Sequence, residues 1–465
     1  MRELLSQTSA GKGVLKRRAL LAGSTALVAA IALSACSSTG SQAVTGSTST
    51  STALSSSATT RAIPPAATSA AVPTAHITWM NPSGDPTDIA IVKKFFQFFQ
   101  QKYPSIEVDV QNVPSGFVTK LETMMAGGVA PDIFWMDTLN LGSFASKGVL
   151  LPLDSYIARD HFNLQKLFPA LLPGYIYQGK RYALPKDNGS SAMVWNVDAF
   201  KEAGVPAPTT AWTWNDFLNA AGKLTKRGSA GVERYGFGPP QGFSHIAPWI
   251  WQHGGAYFDK TYTKCLLDQP PAVEALQFLS DLVNKERVAP TVDTIQSEGY
   301  FPLFENGKVA MQQMWPGNIP MLRKAVKAFT WDVAFLPKDV TRATFVNGAG
   351  NAVWSKTKAP EACWVLIQFF ESQQGQDFFL ASGKGVPSNK AVGAKYTQQK
   401  PPPASLYVFI DDLSFARSVV GPPTWNQISD VLNKELAYLW DGSRSAKEVA
   451  ARLVPQIDVL LGKKS

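Results

Sequence analysis

The segment from residue 77 to residue 136 alternates strand-like and helix-like patterns, and this alternation limits the fold more than any other feature of the chain. Three short apolar runs, at 77–80, 106–110 and 132–136, have the composition of strands, and the stretches between them have helical spacing or helix-stop signals. Strands and helices in alternation form a parallel sheet covered by helices. The sequence therefore predicts an α/β fold.

The first predicted helix shows the pattern most clearly. Val92, Phe95, Phe96, Phe99 and Tyr103 follow one another at helical spacing, and Pro104 ends the stripe. Because one amphipathic face explains all five positions, we assign these side chains to the core rather than to a cofactor site.

Polar and aromatic residues follow the predicted strands. Ligands of open parallel sheets bind at the carboxyl ends of the strands. The residues at those ends are Asn81, Asp85, Trp135, Asp137 and Thr138. Trp135 fits core packing as well as ligand contact, and Asp137 fits an N-cap of the next helix equally well.

The N-terminus has the layout of a bacterial export signal. Lys16, Arg17 and Arg18 precede an apolar run, and Leu33-Ser34-Ala35-Cys36 is similar to a lipobox. We predict a signal peptide at 1–35, with Cys36 lipidated and two acyl chains anchoring the protein to the membrane. A transmembrane helix is the weaker alternative because the run is short for a span. Arg17-Arg18 leaves a twin-arginine route open, although the residues around it match that pattern poorly.

Residues 36–75 are almost entirely Ser, Thr, Ala, Gly and Pro. Such a composition cannot bury enough apolar surface to fold, so we predict a disordered tether. Residues 76–465 are too many for one ordinary core and suggest two lobes. The formal charge of +9 comes from scattered basic residues, which does not favour a nucleic-acid partner.

Several ordered motifs resemble one family. They are Trp79-Met80-Asn81 with Asp85, the run 127–135 containing Pro131-Asp132, the run 148–154, Tyr182-Ala183-Leu184-Pro185, the run 194–200, Thr213-Trp214-Asn215-Asp216-Phe217, Gly254-Gly255 and the run 304–311. They resemble the extracellular solute-binding proteins of bacterial ABC importers, in the sugar-binding family that includes maltose-binding protein. Trp195 departs from the tyrosine of many members, and the maltose-binding loops have no close match.

The resemblance implies a two-lobed periplasmic-binding-protein-like fold with a ligand cleft between hinged lobes. The first lobe would hold residues 76–190 and 338–415, and the second residues 191–337 and 416–465. Cys265 would then lie in the second lobe and Cys363 in the first. Since a disulfide between hinged lobes would obstruct closure, we predict two free thiols.

A sugar site needs flat aromatic side chains and fixed polar partners. Trp315 follows a predicted strand, where its alternative role is to cap the sheet edge, and the resemblance gives Trp425 a stacking position at the start of a C-terminal helix. Asp187 and Asn188 stand at the implied first crossing between the lobes, or form a turn. Asn347 belongs to a run similar to the family's glycine-rich loop. Phe243 and His245 are weaker candidates in a predicted loop.

The sequence offers no catalytic motif. The four histidines lack short metal spacings, and no nucleotide-binding loop or nucleophile elbow is present. We therefore predict a non-enzyme without metal or cofactor: a monomeric, membrane-tethered receptor outside the cytoplasm that delivers a sugar or oligosaccharide to ABC permease subunits. The alternatives are a non-sugar solute such as a polyol or glycerol phosphate, for which Lys186 and Arg417 would favour an anion, and a surface glycoside hydrolase.

Overall fold

The computed structural model describes residues 72–383 and 385–462. The predicted signal peptide, Cys36 and nearly all of the predicted tether lie outside these residues. The strands are β1 (Ala75–Asn81), β2 (Ile106–Asn112), β3 (Ile133–Met136), β4 (Ile176–Tyr177), β5 (Lys180–Arg181), β6 (Ala183–Pro185), β7 (Asp187–Asn188), β8 (Ala192–Asn196), β9 (Lys226–Gly228), β10 (Gly231–Arg234), β11 (Met311–Met314), β12 (Trp331–Ala334), β13 (Thr344–Phe345), β14 (Gly350–Val353), β15 (Val386–Pro387) and β16 (Ala416–Arg417).

Helices occupy about half of the remaining described chain. They are α1 (Pro86–Lys102), α2 (Phe117–Ala126), α3 (Thr138–Ala145), α4 (Asp154–Arg159), α5 (Val197–Glu202), α6 (Trp214–Leu224), α7 (Gly242–Gln252), α8 (Pro270–Asn284), α9 (Val292–Glu298), α10 (Tyr300–Glu305), α11 (Ile319–Ala325), α12 (Pro360–Phe370), α13 (Gln373–Ser382), α14 (Lys390–Gly393), α15 (Val408–Asp411), α16 (Trp425–Trp440) and α17 (Ala446–Leu460).

The larger sheet has the strand order β2-β1-β3-β14-β6. β1 pairs in parallel with β2 and with β3, which confirms the parallel arrangement predicted for the first three strands. β14 is antiparallel to both β3 and β6, so the whole sheet is mixed rather than parallel. The pattern at 77–136 could not reveal this strand, because β14 begins at Gly350.

Helices cover both faces of this sheet. Phe95 and Phe99 of α1 are 2% and 0% exposed and pack on Phe369 of α12, which confirms that the aromatic stripe of the first predicted helix belongs to the core. On the other face, α2 and α3 contribute Phe117 and Phe144 to a second cluster. Successive strand residues point to opposite faces, so these two clusters enclose the sheet.

The smaller sheet has the order β11-β8-β12, with β8 antiparallel to both neighbours. Met193 and Trp195 of β8 face a cluster built with α6, α7, α8, α16 and α17. Val194 faces a different cluster, which also contains Tyr396 and Phe409. The predicted lobe limits stay a prediction, and this packing favours a boundary well before residue 415.

The cysteines of the described chain lie in different cores. Cys265 belongs to the cluster beside the smaller sheet, and Cys363 to the cluster of α1 and α12. Both are buried and free, as predicted. Burial raises the pKa of each thiol to about 12, so both are unreactive at neutral pH.

Candidate functional site

A cavity of about 320 Å³ opens at the carboxyl end of the larger sheet. It brings together three predicted site residues: Asn81 at the end of β1, Trp135 in β3 and Asp187 in β7. The rest of its described lining is Trp79, Pro82, Ser83, Asp88, Ile91, Val92, Lys186, Phe379, Gly385 and Val386. We call these residues the cavity wall. Their position agrees with the rule that ligands bind where parallel strands end.

The two tryptophans of the cavity wall differ in how they are packed. Trp79 is 3% exposed, donates its indole N–H to Asn351 Oδ1 at 2.9 Å, and packs on Phe96 and Phe370. Trp79 is therefore mainly a core residue that also borders the cavity. Trp135 is partly exposed and meets Phe117 edge to face, with ring centroids 5.7 Å apart. Trp135 therefore has both the packing and the free surface that a stacking platform requires.

The loop after β1 holds the Asn81 side chain in place. Asn81 Nδ2 donates to Asn112 Oδ1 at 2.8 Å, and its Oδ1 accepts from the amide of Ser83 at 2.8 Å. Asp85 lies further out on the exposed loop, where it accepts the amide of Asp88 at 3.0 Å and caps α1. Asp85 is not part of the cavity wall, and its predicted ligand contact stays a prediction.

The basic residue of the cavity wall is already neutralised. Lys186 forms an ion pair with Asp187, and its Nζ lies 4.9 Å from the centre of the Phe379 ring. Asp187 Oδ1 also accepts the amide of Ala349 at 2.7 Å. Sequence reasoning missed Ser83, Asp88 and Phe379 as wall residues. Ser83 could have been found, because it lies in the loop that follows a predicted strand. Nothing in the sequence of α13 indicated that Phe379 reaches the cavity.

Three predicted polar residues have internal hydrogen-bond partners. Asp137 accepts the amide and the side-chain amide of Asn140, each at 2.7 Å, as an N-cap of α3. Burial raises the pKa of Asp137, although these hydrogen bonds oppose the shift. Asn188 is 2% exposed and donates to the Phe409 carbonyl at 2.9 Å. Asn347 Oδ1 faces the amide and hydroxyl of Thr138 at 3.3 and 3.2 Å.

The remaining candidates lie beside the smaller sheet. Phe243 and His245 were placed in a loop, and this was wrong, since α7 begins at Gly242 and includes both. Phe243 and Trp425 are 8% and 5% exposed, and their ring centroids are 4.8 Å apart. Trp425 does open α16 as predicted. We call Phe243, His245, Trp315 and Trp425 the aromatic group.

Trp315 is the partly exposed member of the aromatic group. It follows β11, as predicted, and the His245 ring meets it edge to face at 4.2 Å. His245 Nδ1 lies 2.6 Å from the Gln241 carbonyl, so Nδ1 carries the proton and Nε2 is an acceptor. Burial lowers the pKa of His245 to about 4. The imidazole is therefore neutral at physiological pH.

Gly189 connects the aromatic group to the segment that carries Asp187. A Cβ at Gly189 would lie 3.8 Å from Trp315 Cδ1 and only 2.1 Å from the Asn347 carbonyl oxygen. This close approach of two backbones requires glycine. Trp315 and Asn347 therefore both lie next to Gly189, which belongs to the connection between β7 and β8.

No group of three or more His, Cys, Asp and Glu side chains in residues 72–383 and 385–462 is arranged to hold a metal ion. No helix in the same residues is long and apolar enough to cross a membrane.

Comparisons with known proteins identify the family and the fold of the chain. The profile of bacterial extracellular solute-binding proteins matches residues 81–377. A binding protein of Brucella abortus is 26% identical over 78% of this chain and 88% of its own length. The maltotriose-binding protein of Pyrococcus abyssi is 28% identical over 50% of this chain and 49% of its own. An ABC substrate-binding protein of Listeria monocytogenes, solved in complex with cycloalternan, has a TM-score of 0.76 and 27% identity, covering 84% of this chain and 99% of its own. The predicted family resemblance and two-lobed α/β fold are confirmed.

Proposed function

Because this chain belongs to the family of bacterial extracellular solute-binding proteins, we propose that it is the membrane-tethered receptor of an ABC importer for a sugar or oligosaccharide. The receptor captures its ligand between two lobes and delivers it to the permease without chemical turnover. Closure is a hinge transition that the ligand favours by contacting both lobes.

The cavity wall supplies the part of this proposal that belongs to the first lobe, since all of its residues lie within the limits predicted for that lobe. Its volume of about 320 Å³ falls at the lower end of the roughly 300–1,000 Å³ typical of small-molecule sites. Trp135 supplies a partly exposed aromatic face, and Asn81 and Asp187 supply oriented amide and carboxylate groups. An apolar ring face surrounded by hydroxyls is the chemistry that such a set recognises. The relatives named for maltotriose and cycloalternan support the same ligand class.

The charges of the cavity wall disfavour an anionic solute. Its described lining contains Asp88 and Asp187 but one basic residue, Lys186, whose charge Asp187 already balances. Arg417 is exposed and lies over the Trp251 ring at 5.5 Å, outside this lining. Because Asp187 already balances Lys186, the described lining offers no uncompensated basic residue to an anionic solute, so a neutral sugar is the better ligand.

Membrane attachment rests on Cys36 and the composition that follows it. Cys36→Ala expressed in the native host should move the protein from the membrane fraction to the soluble fraction. The matched control is Cys363→Ala, which leaves the lipidation signal intact and should stay in the membrane fraction. If Cys36→Ala also stays there, the lipid anchor is wrong.

A ligand screen tests the binding function directly. Maltotriose, an arabino-oligosaccharide and glycerol 3-phosphate are each titrated against the mature protein by thermal shift and tryptophan fluorescence. A ligand at about 100 times its Kd should add roughly 2.7 kcal/mol to the unfolding free energy. Stabilisation by glycerol 3-phosphate alone would contradict the sugar assignment.

Incubation with the bound sugar separates a receptor from a hydrolase. Asp88 and Asp187 both line the cavity, and glycoside hydrolysis uses two carboxyl groups. We expect the sugar to be recovered intact after prolonged incubation. Released product that disappears in Asp88→Asn would show an enzyme instead.

A further inference from the structure

Glu371 is a buried acid directly behind the cavity wall. It follows the last residue of α12 and is 3% exposed. Its Oε2 lies 2.7 Å from Ser388 Oγ, and its buried Oε1 has no hydrogen-bond partner. Ser388 follows β15, and β15 pairs with β7, which carries Asp187. The Ser388 hydroxyl therefore connects Glu371 to the strand pair β7 and β15 beside the cavity.

The orientation of the neighbouring Gln376 amide is fixed by the backbone. Gln376 Nε2 lies 2.8 Å from the Phe370 carbonyl and 2.9 Å from the Lys186 carbonyl. Its Oε1 accepts the Asn389 amide at 3.2 Å. If the amide were flipped, its oxygen would face the two carbonyl oxygens. Its NH₂ group would face the N–H of Asn389. Gln376 Oε1 is therefore an acceptor that faces Ser388 Oγ, 3.2 Å away.

Ser388 has one hydroxyl proton and two acceptors next to it. If Glu371 is ionised, that proton goes to the carboxylate, and a fully buried charge keeps a single hydrogen bond, which is costly. If Glu371 is a neutral acid, its O–H donates to Ser388 Oγ and Ser388 donates to Gln376 Oε1. Gln376 Nε2 then donates to the Lys186 carbonyl. The neutral acid thus gives a chain of hydrogen bonds with every donor used.

We propose that Glu371 is a positioning residue that acts as a neutral acid and holds the Lys186–Asp187 segment of the cavity wall through Ser388 and Gln376. Adding a proton to Glu371 completes the chain, and removing it reverses the Ser388 hydroxyl and leaves Gln376 Oε1 with one donor fewer. The position of the cavity wall is therefore linked to pH.

The surroundings of Glu371 agree with this assignment. Burial is the main cause that raises the pKa of Glu371 to about 8; Asp187 acts in the same direction, while the Ser388 hydrogen bond and Lys186 oppose the shift. Asp187 lies in β7, and Lys186 is the residue before it. The contacts from α13 and from the end of β15 are the uncharged Gln376 and Ser388.

The first test is the pH dependence of stability in wild type and Glu371→Gln. The folded acid holds its proton from pH about 4.5 to about 8, whereas the unfolded acid does not. The folding equilibrium constant should fall by up to about tenfold per pH unit across this window and level off above it. Glu371→Gln keeps an N–H donor to Ser388 and should lose this slope. Glu298→Gln, an exposed glutamate of α9, should keep the wild-type slope.

The second test measures the wall itself by amide hydrogen exchange in peptides covering residues 186–190 and 386–389. Protection in wild type should drop between pH 7 and pH 9, after correction for intrinsic exchange, and stay constant in Glu371→Gln. Ser388→Ala removes the relay and should lower protection already at pH 7. Equal stability slopes in wild type and Glu371→Gln, or protection unaffected by pH and by Ser388→Ala, would overturn the proposal. If Glu371→Gln does not fold, the wild-type profile and Ser388→Ala decide.

A third test rests on the proposed sugar-binding function. Maltotriose affinity should weaken between pH 7 and pH 9 in wild type but not in Glu371→Gln. If maltotriose binds neither protein, the ligand assignment fails, while the stability and exchange results still decide the role of Glu371. If it binds both with the same pH dependence, the proposed role of Glu371 is wrong.

Discussion

The cavity wall and the aromatic group contain similar residues but use them differently. In the cavity wall, Trp135 keeps part of its surface free beside Asn81 and Asp187. In the aromatic group, the rings of Phe243 and Trp425 pack against each other and are only 8% and 5% exposed. An aromatic residue at the start of a helix or after a strand is therefore not a ligand platform by position alone. The part of the ring that stays exposed distinguishes a ligand platform from a core residue.

Substitutions in the two regions should change different properties of the protein, stability in one and affinity in the other. Substitutions of Phe243 and Trp425 should mainly change stability, because these two side chains join the core of α7, α8, α16 and α17. Substitutions in the cavity wall should mainly change affinity, because its residues border open space.

Trp425→Ala should have the largest effect on stability. Removing a buried tryptophan leaves a cavity against Phe243 and should cost about 3–5 kcal/mol of unfolding free energy. Chemical denaturation measures this loss. Trp440→Ala, a partly exposed tryptophan at the other end of α16, is the matched control and should cost less. If Trp425→Ala costs under about 1 kcal/mol and abolishes sugar binding, Trp425 is a platform and the comparison fails.

His245 should make the aromatic group sensitive to acid. Its pKa is about 4 in the folded protein, below the ordinary 6.5, so the unfolded chain binds a proton first as pH falls. His245 alone should therefore lower the stability from pH about 6.5 to about 4, by up to about 1.4 kcal/mol per pH unit, against the gain that Glu371 contributes over most of the same range. In denaturation experiments between pH 7 and pH 5, His245→Gln should lose less stability, or gain more, than wild type. The exposed His76→Gln should keep the wild-type change, and an identical change in His245→Gln would mean that His245 is accessible to protons.

Local patterns predicted the parts of the fold that are local in sequence. β1, β2, β3 and the aromatic face of α1 follow from residues that alternate or repeat within 30 positions. β14 joins the same sheet from residue 350 onward, and Phe379 reaches the cavity from α13. Neither the pairing of β14 nor the position of Phe379 could be inferred from local patterns, because long-range contacts depend on the assembled core rather than on neighbouring residues.

The error at Phe243 and His245 has a physical cause. Pro239, Pro240 and Gly242 precede these residues, and such breakers predicted a loop. α7 nevertheless starts at Gly242 and continues through Pro248. Ile246, Trp249 and Ile250 are each 0% exposed, so burial of this face outweighs the weak helix propensity of its first turns.

Trp135→Ala should lower affinity more than stability. Losing the partly exposed ring should weaken binding of the sugar found by titration about tenfold, equal to about 1.4 kcal/mol. Its contact with Phe117 is edge to face, so the unfolding free energy should fall by less than in Trp425→Ala. Fluorescence titration and denaturation measure the two losses. Trp440→Ala should leave affinity unchanged, whereas unchanged affinity in Trp135→Ala would remove this residue from the site.

Asp137→Ser should have the smallest effect and decides between two roles for this residue. Both carboxylate oxygens of Asp137 already accept hydrogen bonds from Asn140, one from the amide that caps α3. Serine caps helices about as well as aspartate, so we expect the unfolding free energy to change by no more than about 0.5 kcal/mol and affinity to stay the same. Asp137→Ala, which cannot cap, should cost about 1 kcal/mol. A serine variant of normal stability but weakened sugar binding would show that the carboxylate contacts ligand, and would extend the binding site beyond the cavity wall to the start of α3.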